Sequence, residues 1–518
     1  MDSQDEHVAN PTRRDVITTA GAAGVVAGVD ALLGSSQAQS GRTPHVVIVG
    51  AGLAGLCAAY RLQQRGWTYM ILEADPYHVG GRVRTLRFKN GTYAELGAMR
   101  IPTKHDVTLK YVDEFKLKRR EFVMDNPATY FFVRNRLERR NALKKISQLY
   151  DLEPAERKPP EDLWAQAIVD QHGLLEEEKK DLKTSNSFTT GKINRLDRLS
   201  MRRTLEKAGF SEEALEYIFV LMGVGTLQHS ALTEHLREEL EEIWTLPFFE
   251  IENGTEELPK AFRSKLRSEI KMGHEVIALR QDENSATAIY RTAGRTEIAK
   301  GDFLLCTVPL PVLARIEIEG RFSDAKRRAI RDVFYESGTK VVVPTTTRFW
   351  ETDDKIFGGG SYTDLMTGPI FYPSDNSKKK EGSAGKEREA IDPAKSKGPA
   401  VLVASYTWGQ EARRLGNMTA SQREEHTVRL VSKVHKQLLK PGVVLRDQVK
   451  SWSWDNHRWA GGAFAFYMPG QFAALHRHVI APEGRIYFAG EHCSRSHSWM
   501  QGALESAEQA VDTIIARA

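Results

Sequence analysis

The chain has 518 residues, 73 lysines and arginines against 68 aspartates and glutamates, and 41% hydrophobic residues, the balance of an ordinary soluble globular protein. That excludes a disordered or collagen-like chain, and a net charge of +5 gives no argument for a nucleic-acid partner. Three cysteines, Cys57, Cys306 and Cys493, are too few and too far apart for a disulfide framework or a zinc site, so no metal is expected. At roughly 100–200 residues per domain, the length predicts two to four domains.

Residues 1–43 read as a leader. Thr12-Arg13-Arg14-Asp15-Val16-Ile17 precedes an Ala/Gly/Val-rich run to Leu33 and then the small residues Ser35, Ser36 and Ala38, the layout of a secretory signal. The adjacent arginines make it resemble a twin-arginine signal, a receptor-read address that predicts export to the periplasm or beyond. A disordered tail in a cytoplasmic protein is the other reading. Asp30 and several glycines interrupt the apolar run, which is too short for stable membrane insertion.

From residue 45 the pattern is that of an α/β protein. The β-branched run His45-Val46-Val47-Ile48-Val49 leads into Gly50-Ala51-Gly52-Leu53-Ala54-Gly55 and then a helical pattern over residues 56–65. The first glycine permits a tight turn, the second lets backbone approach a pyrophosphate, and the third allows close helix–strand packing. The phosphate would sit at the helix N-terminus, where free N–H groups and the dipole favour an anion. A second strand ends at Glu73, 18 residues after Gly55, where an acid is expected to accept from an adenosine ribose hydroxyl. Gly80-Gly81-Arg82 follows, and its guanidinium and backbone suit the same pyrophosphate; a glycine turn with a surface arginine is the plainer alternative. Fingerprint and Gly-Gly-Arg together resemble the amine-oxidase branch of FAD proteins.

Further along, the chain resembles the flavin-dependent L-amino acid oxidases, within the flavin monoamine oxidase family, over most of residues 44–518. The resemblance rests first on Glu95-Leu96-Gly97-Ala98-Met99-Arg100-Ile101-Pro102. It implies that Gly97, Ala98, Met99 and Arg100 run past the flavin and that Arg100 holds the substrate carboxylate. A planar guanidinium offers two parallel donors to a carboxylate; from spacing alone, an ion pair with a local acid accounts for Arg100 equally well. Tyr335-Glu336-Ser337-Gly338-Thr339-Lys340 is the next match, and places Lys340 near flavin N5 through a water, where a positive charge assists reaction with dioxygen. Pro369-Ile370-Phe371-Tyr372-Pro373 resembles the segment whose tyrosine gives the carboxylate a second hydrogen bond, a role assigned to Tyr372, with Phe371 left to packing.

The C-terminal block Arg485-Ile486-Tyr487-Phe488-Ala489-Gly490-Glu491-His492 resembles the second FAD fingerprint, in which Gly490 and Glu491 meet the pyrophosphate and ribityl region. Ser498-Trp499-Met500-Gln501 follows. A helix starting there aims its N–H groups at the flavin C2 carbonyl, with Trp499 as a wall beside the substrate amine and the Ser498 carbonyl accepting from it; the family often has glycine at Ser498. Trp452 and Val276 are expected against the cofactor. Ala463 stands where monoamine oxidases carry the cysteine that attaches the flavin, which implies non-covalent FAD.

The expected architecture is an α/β, amine-oxidase-type fold: a Rossmann-like FAD domain built from residues 44–104, 251–312 and 451–518, a mixed-sheet substrate domain over 313–450 with a flexible loop at 374–399, and a mainly helical insertion at 105–250 lining the entrance. The expected reaction is oxidative deamination of an L-amino acid by hydride transfer to flavin N5, with dioxygen as oxidant and 2-oxo acid, ammonia and hydrogen peroxide as products. A monoamine or polyamine oxidase, an amino acid 2-monooxygenase, and a non-catalytic flavin-binding protein are the alternatives. A homodimer or larger homo-oligomer is expected.

Overall fold

A parallel sheet carries the fingerprint. In the computed structural model, which describes residues 42–320, 322–383 and 387–518, the strands β1 (His45–Val49), β2 (Thr68–Glu73), β3 (Ile270–Met272), β4 (Phe303–Cys306) and β5 (Ile486–Phe488) form one sheet in the order β3-β2-β1-β4-β5. Every pairing in it is parallel. Such a sheet is covered on both faces, and accordingly Val46, Val47, Ile48, Leu304 and Leu305 are fully buried. Strand order reverses about β1, which puts a crevice at the carboxyl ends of β1 and β4, the usual ligand position in such sheets. The leader reading falls on residues outside the described ones.

Helix α1 (Leu53–Gln64) follows β1. It packs on the C-terminal helix α3 (Met500–Arg517), with Leu56, Cys57, Leu504 and Val511 in one buried cluster. The two helices come from opposite ends of the chain, so the half that carries the fingerprint exists only when residues near 50 and near 500 have met.

The second half is a seven-stranded mixed sheet, ordered Lys450–Ser453, Gly338–Thr345, Ala400–Trp408, Ile370–Tyr372, Gly359–Thr363, Tyr130–Val133, Arg136–Arg139. Its last two strands lie inside the stretch expected to be helical. The helices that cluster together begin only after residue 139, and include α2 (Leu232–Leu240). The apolar run Phe131-Phe132-Val133 carries the strand signal, which the charged neighbours masked.

The stretch 374–399 is not a free loop. Ser377–Lys379 pairs with Arg388–Ala390 as a hairpin. Its base is anchored by buried Ser374, Asn376 and Ser396, and Asp375 takes two bonds from Arg348, at 2.7 and 2.8 Å, and one ion pair from Lys395 at 2.8 Å. Lysine-rich composition described the tip and hid the anchor.

Candidate active site

A cavity of about 510 Å³ opens at the carboxyl ends of β1 and β4. Gly50, Gly52, Ala54, Glu73, Gly81 and Arg82 line it. Gly50 has φ +100°, a region that favours glycine, and a Cβ on Gly55 would stand 2.0 Å from the Gly50 carbonyl oxygen, so Gly55 serves packing rather than the cavity itself. A Cβ on Gly52 would meet nothing within 4 Å and would project into open space. That is the cradle a dinucleotide needs. Helix α1 has no side-chain cap and no acidic residue in its first turn, so its leading N–H groups are left for an anion.

Glu73 is oriented before any ligand arrives. Its Oε2 accepts from the Ala51 amide at 2.6 Å and its Oε1 from the Asp75 amide at 2.8 Å, leaving one lone pair on each oxygen for a ribose hydroxyl. Ala51 thus acts through Glu73. Burial raises the Glu73 carboxyl above its ordinary range in spite of those two donors.

Just past the carboxyl end of β5, Gly490 and Glu491 also line the cavity. Glu491 is a junction: Oε1 accepts from Arg82 Nη1 at 2.8 Å and the Ala465 amide at 3.0 Å, and Oε2 from the Ser498 amide at 3.0 Å. Burial works against its charge, but Arg82 and the neighbouring histidines outweigh it and hold the carboxyl below its usual range. Arg82 is therefore a fixed cation in the cavity wall, and Nη1 also donates to the Ala463 carbonyl at 3.1 Å. Ala463 lines the same cavity.

Helix α3 begins at Met500, again with no side-chain cap and no acidic residue in its first turn. Ser498, Trp499 and Met500 line the cavity, as do Gly97, Ala98 and Val276. Ser498 holds φ +67°, the left-handed region in which glycine is at ease. The Gln501 side chain does not reach the cavity. It accepts from the Thr108 amide and hydroxyl and donates to Asp106 and Glu505, so it docks α3 onto the helix at Asp106–Glu114.

Lys340 is buried at 1% exposure and also lines the cavity. Its Nζ donates to the Gly97 carbonyl at 2.7 Å, the Glu95 carbonyl at 3.2 Å and Met99 Sδ at 3.3 Å, and sits 4.2 Å from the Tyr406 ring centre. Met99 thus supports Lys340 from behind. Burial pushes the ammonium well below its ordinary range; the Glu95 carboxylate opposes that and the Arg100 charge adds to it.

Arg100 is 8% exposed, and its Nε and Nη1 have no hydrogen-bond partner. Among the described residues it makes no ion pair. Its guanidinium stands 5.5 Å from the Trp244 ring, 5.8 Å from Trp499 and 5.9 Å from Phe371. Aromatic faces hold the cation and leave its donors free. The local ion pair allowed by the sequence does not form.

Two assignments are corrected. Tyr372 does not face Arg100: it is 2% exposed, its hydroxyl is bonded to Ser361 Oγ and His435 Nε2, both at 2.7 Å, and it belongs to the core on the far side of the sheet. Alternation along Ile370–Tyr372 puts Phe371 and Tyr372 on opposite faces, and Phe371 has the site face. The tyrosine near Arg100 and Lys340 is Tyr406, which lines the cavity and pairs across strands with Lys340. Trp452 packs behind the wall, 4.4 Å from the Arg84 guanidinium and against Trp454; Trp454 is the cavity residue, its Nε1 donating to the Leu96 carbonyl at 3.0 Å.

Glu238, on α2, went unremarked in the sequence. Its Oε1 accepts from Trp499 Nε1 at 2.8 Å and its Oε2 from Trp244 Nε1 at 3.1 Å. Burial, aided by the nearby Glu234 and Glu239 charges and resisted by the two indoles, raises its carboxyl to about 7. Nothing in the local charge-rich pattern separates it from its neighbours.

Residues 53–515 match the family model "flavin containing amine oxidoreductase". The chain belongs to that family. It is 32% identical over 486 residues to an L-amino-acid oxidase of Siganus canaliculatus, covering 91% of this chain and 85% of the relative. It is also 32% identical to a flavin-dependent L-tryptophan oxidase of Lentzea aerocolonigenes (90% and 97% covered) and 31% identical to an L-amino-acid oxidase of Vipera ammodytes ammodytes (89% and 90%). A solved putrescine oxidase shares the fold, with TM-score 0.70 at 17% identity over 92% of this chain and all of the other. The fold is thus of the amine-oxidase type, the protein is an oxidoreductase, and its cofactor is FAD. The Gly52 cradle, the two uncapped helix starts and the oriented Glu73 fit that group.

Proposed function

We propose that the protein oxidatively deaminates L-amino acids. The observation that carries this reading is Arg100, a buried guanidinium with unpartnered donors beside the cavity. A simple amine offers it nothing; an α-carboxylate offers two acceptors. Tyr406 is the hydroxyl suited to a second bond to that carboxylate, and Trp499 is the wall against which the amine rests. The strained Ser498 turn presents main-chain acceptors there. Fixing the carboxylate on one side and the amine on the other leaves a single hand of the α-carbon facing the flavin.

When bound, FAD supplies a two-electron acceptor for the α-hydrogen and returns the electrons to dioxygen as hydrogen peroxide. The substrate leaves as an imino acid, which water converts to 2-oxo acid and ammonia. The nitrogen must arrive as a neutral amine, and the positive charge of Arg100 disfavours its protonated form on entry. Lys340, when protonated, would place a positive charge in the cavity wall where it could assist the reaction of the cofactor with dioxygen.

Purified holoenzyme should release peroxide with L- but not D-amino acids. Arg100→Ala should lower kcat/KM for L-amino acids on the order of a hundredfold and spare any turnover of putrescine; a wild type that oxidises putrescine but no L-amino acid would assign the polyamine oxidase reading. Amide in place of 2-oxo acid as the main product would assign the monooxygenase, and a flavin that no L-amino acid bleaches would assign the non-catalytic protein. The arginine pair at Arg13-Arg14 supports export by a twin-arginine route, which Arg13→Lys with Arg14→Lys should block in a fractionation assay. Homodimer formation is read by light scattering.

A further inference from the structure

We propose that Glu238 selects substrates with a cationic side chain, so that the preferred L-amino acids are lysine, ornithine and arginine. The inference rests on the deamination reading above and adds the substrate class.

The site holds two opposite charges, each without a counter-ion. Arg100 is a guanidinium with no anion, and Glu238 is a carboxylate whose partners are two neutral indole N–H groups. Among the described residues, no Lys, Arg or His pairs with Glu238. Glu234, one turn earlier on the same helix, is by contrast bonded to Arg237 Nη1 at 3.1 Å and His497 Nδ1 at 2.6 Å.

The same two tryptophans join the unpaired charges. Trp244 and Trp499 present their rings to Arg100 and their Nε1–H to Glu238. Arg100 and Glu238 are thus about one indole apart, across aromatic surface that suits the methylenes of a long side chain. Trp499 lines the cavity, and Trp244 is 40% exposed, so this surface runs from the cavity toward solvent. An amino acid with its carboxylate on Arg100 and its side chain laid along the indoles brings its far end to Glu238. A cationic end removes the cost of a carboxylate partly withdrawn from water without a counter-ion; an apolar end leaves that cost standing.

The test compares L-lysine with L-norleucine, of like length without the charge, in the wild-type holoenzyme and in Glu238→Gln and Glu238→Asp, reading flavin bleaching and peroxide release. The wild type should prefer lysine. Glu238→Gln should reduce the lysine-to-norleucine ratio of kcat/KM on the order of tenfold or more, mainly through KM, and Glu238→Asp should recover part of it. An unchanged ratio in Glu238→Gln overturns the inference. So does a wild type that turns over norleucine but neither lysine nor arginine, an outcome that needs no variant to fold and leaves the deamination reading intact. If no L-amino acid bleaches the flavin, both fall.

Discussion

Phe371 and Tyr372 differ by one position and by the whole width of a sheet. The family resemblance supplied a tyrosine on a short strand but not the parity of that strand, which tertiary pairing decides. Because Tyr372 is locked to Ser361 and His435 and closes no part of the cavity, Tyr372→Phe should cost about 1–3 kcal/mol of stability by leaving buried His435 Nε2 without its partner, with activity unchanged. Tyr406→Phe should do the opposite, raising KM for L-amino acids with little effect on denaturation. Urea titration and steady-state kinetics of the two variants separate these outcomes. Ser498, at φ +67°, gives a third residue-scale expectation: Ser498→Gly should be neutral or mildly stabilising, whereas β-branched Ser498→Val should lose about 1–2 kcal/mol, read as a shift in Tm.

At the scale of elements, α2 is more than a wall of the helical insertion. Glu234 and Glu238, one turn apart, reach His497 and Trp499 on either side of the strained Ser498. A single helix face therefore sets the path of the turn that enters α3. Glu234 has a further role in acid stability. Burial would raise its carboxyl, but His497 and Arg237 outweigh that and hold it at about 2. A carboxyl lowered on folding stabilises the protein above its unfolded value of about 4.3, and that contribution disappears as pH falls toward 2. Glu234→Gln should accordingly cost about 3–5 kcal/mol near pH 7 and much less near pH 3, a difference that urea titrations at the two pH values report. Sequence periodicity found this helix but could not rank its carboxylates, since Glu238, Glu239, Glu241 and Glu242 look alike until Trp499, from the far end of the chain, is placed against Glu238.

At the scale of the molecule, what could be read in the sequence was what is local. Strand β1, the glycines, α1 and Glu73 lie within 29 residues, positions 45–73, and each constrains the next. The hairpin of Tyr130–Val133 and Arg136–Arg139 is hidden because it joins its sheet only through Gly359–Thr363, more than two hundred residues on. The 374–399 hairpin was lost because its anchor, Asp375, is held from Arg348 as well as from Lys395. Cofactor attachment is a whole-molecule property with a direct check: with Ala463 in the cavity wall and no thiol there, acid precipitation should leave the yellow colour in the supernatant, and the FAD-free protein should melt at a lower temperature than the holoenzyme.

The packing of α1 on α3, with Glu491 tying Arg82 to the turn before α3, has a consequence in the order of synthesis. The fingerprint leaves the ribosome early, yet the wall that completes its cavity is made last. A chain still being translated owns the phosphate cradle without the cap, so flavin can be retained only after the final helix is out.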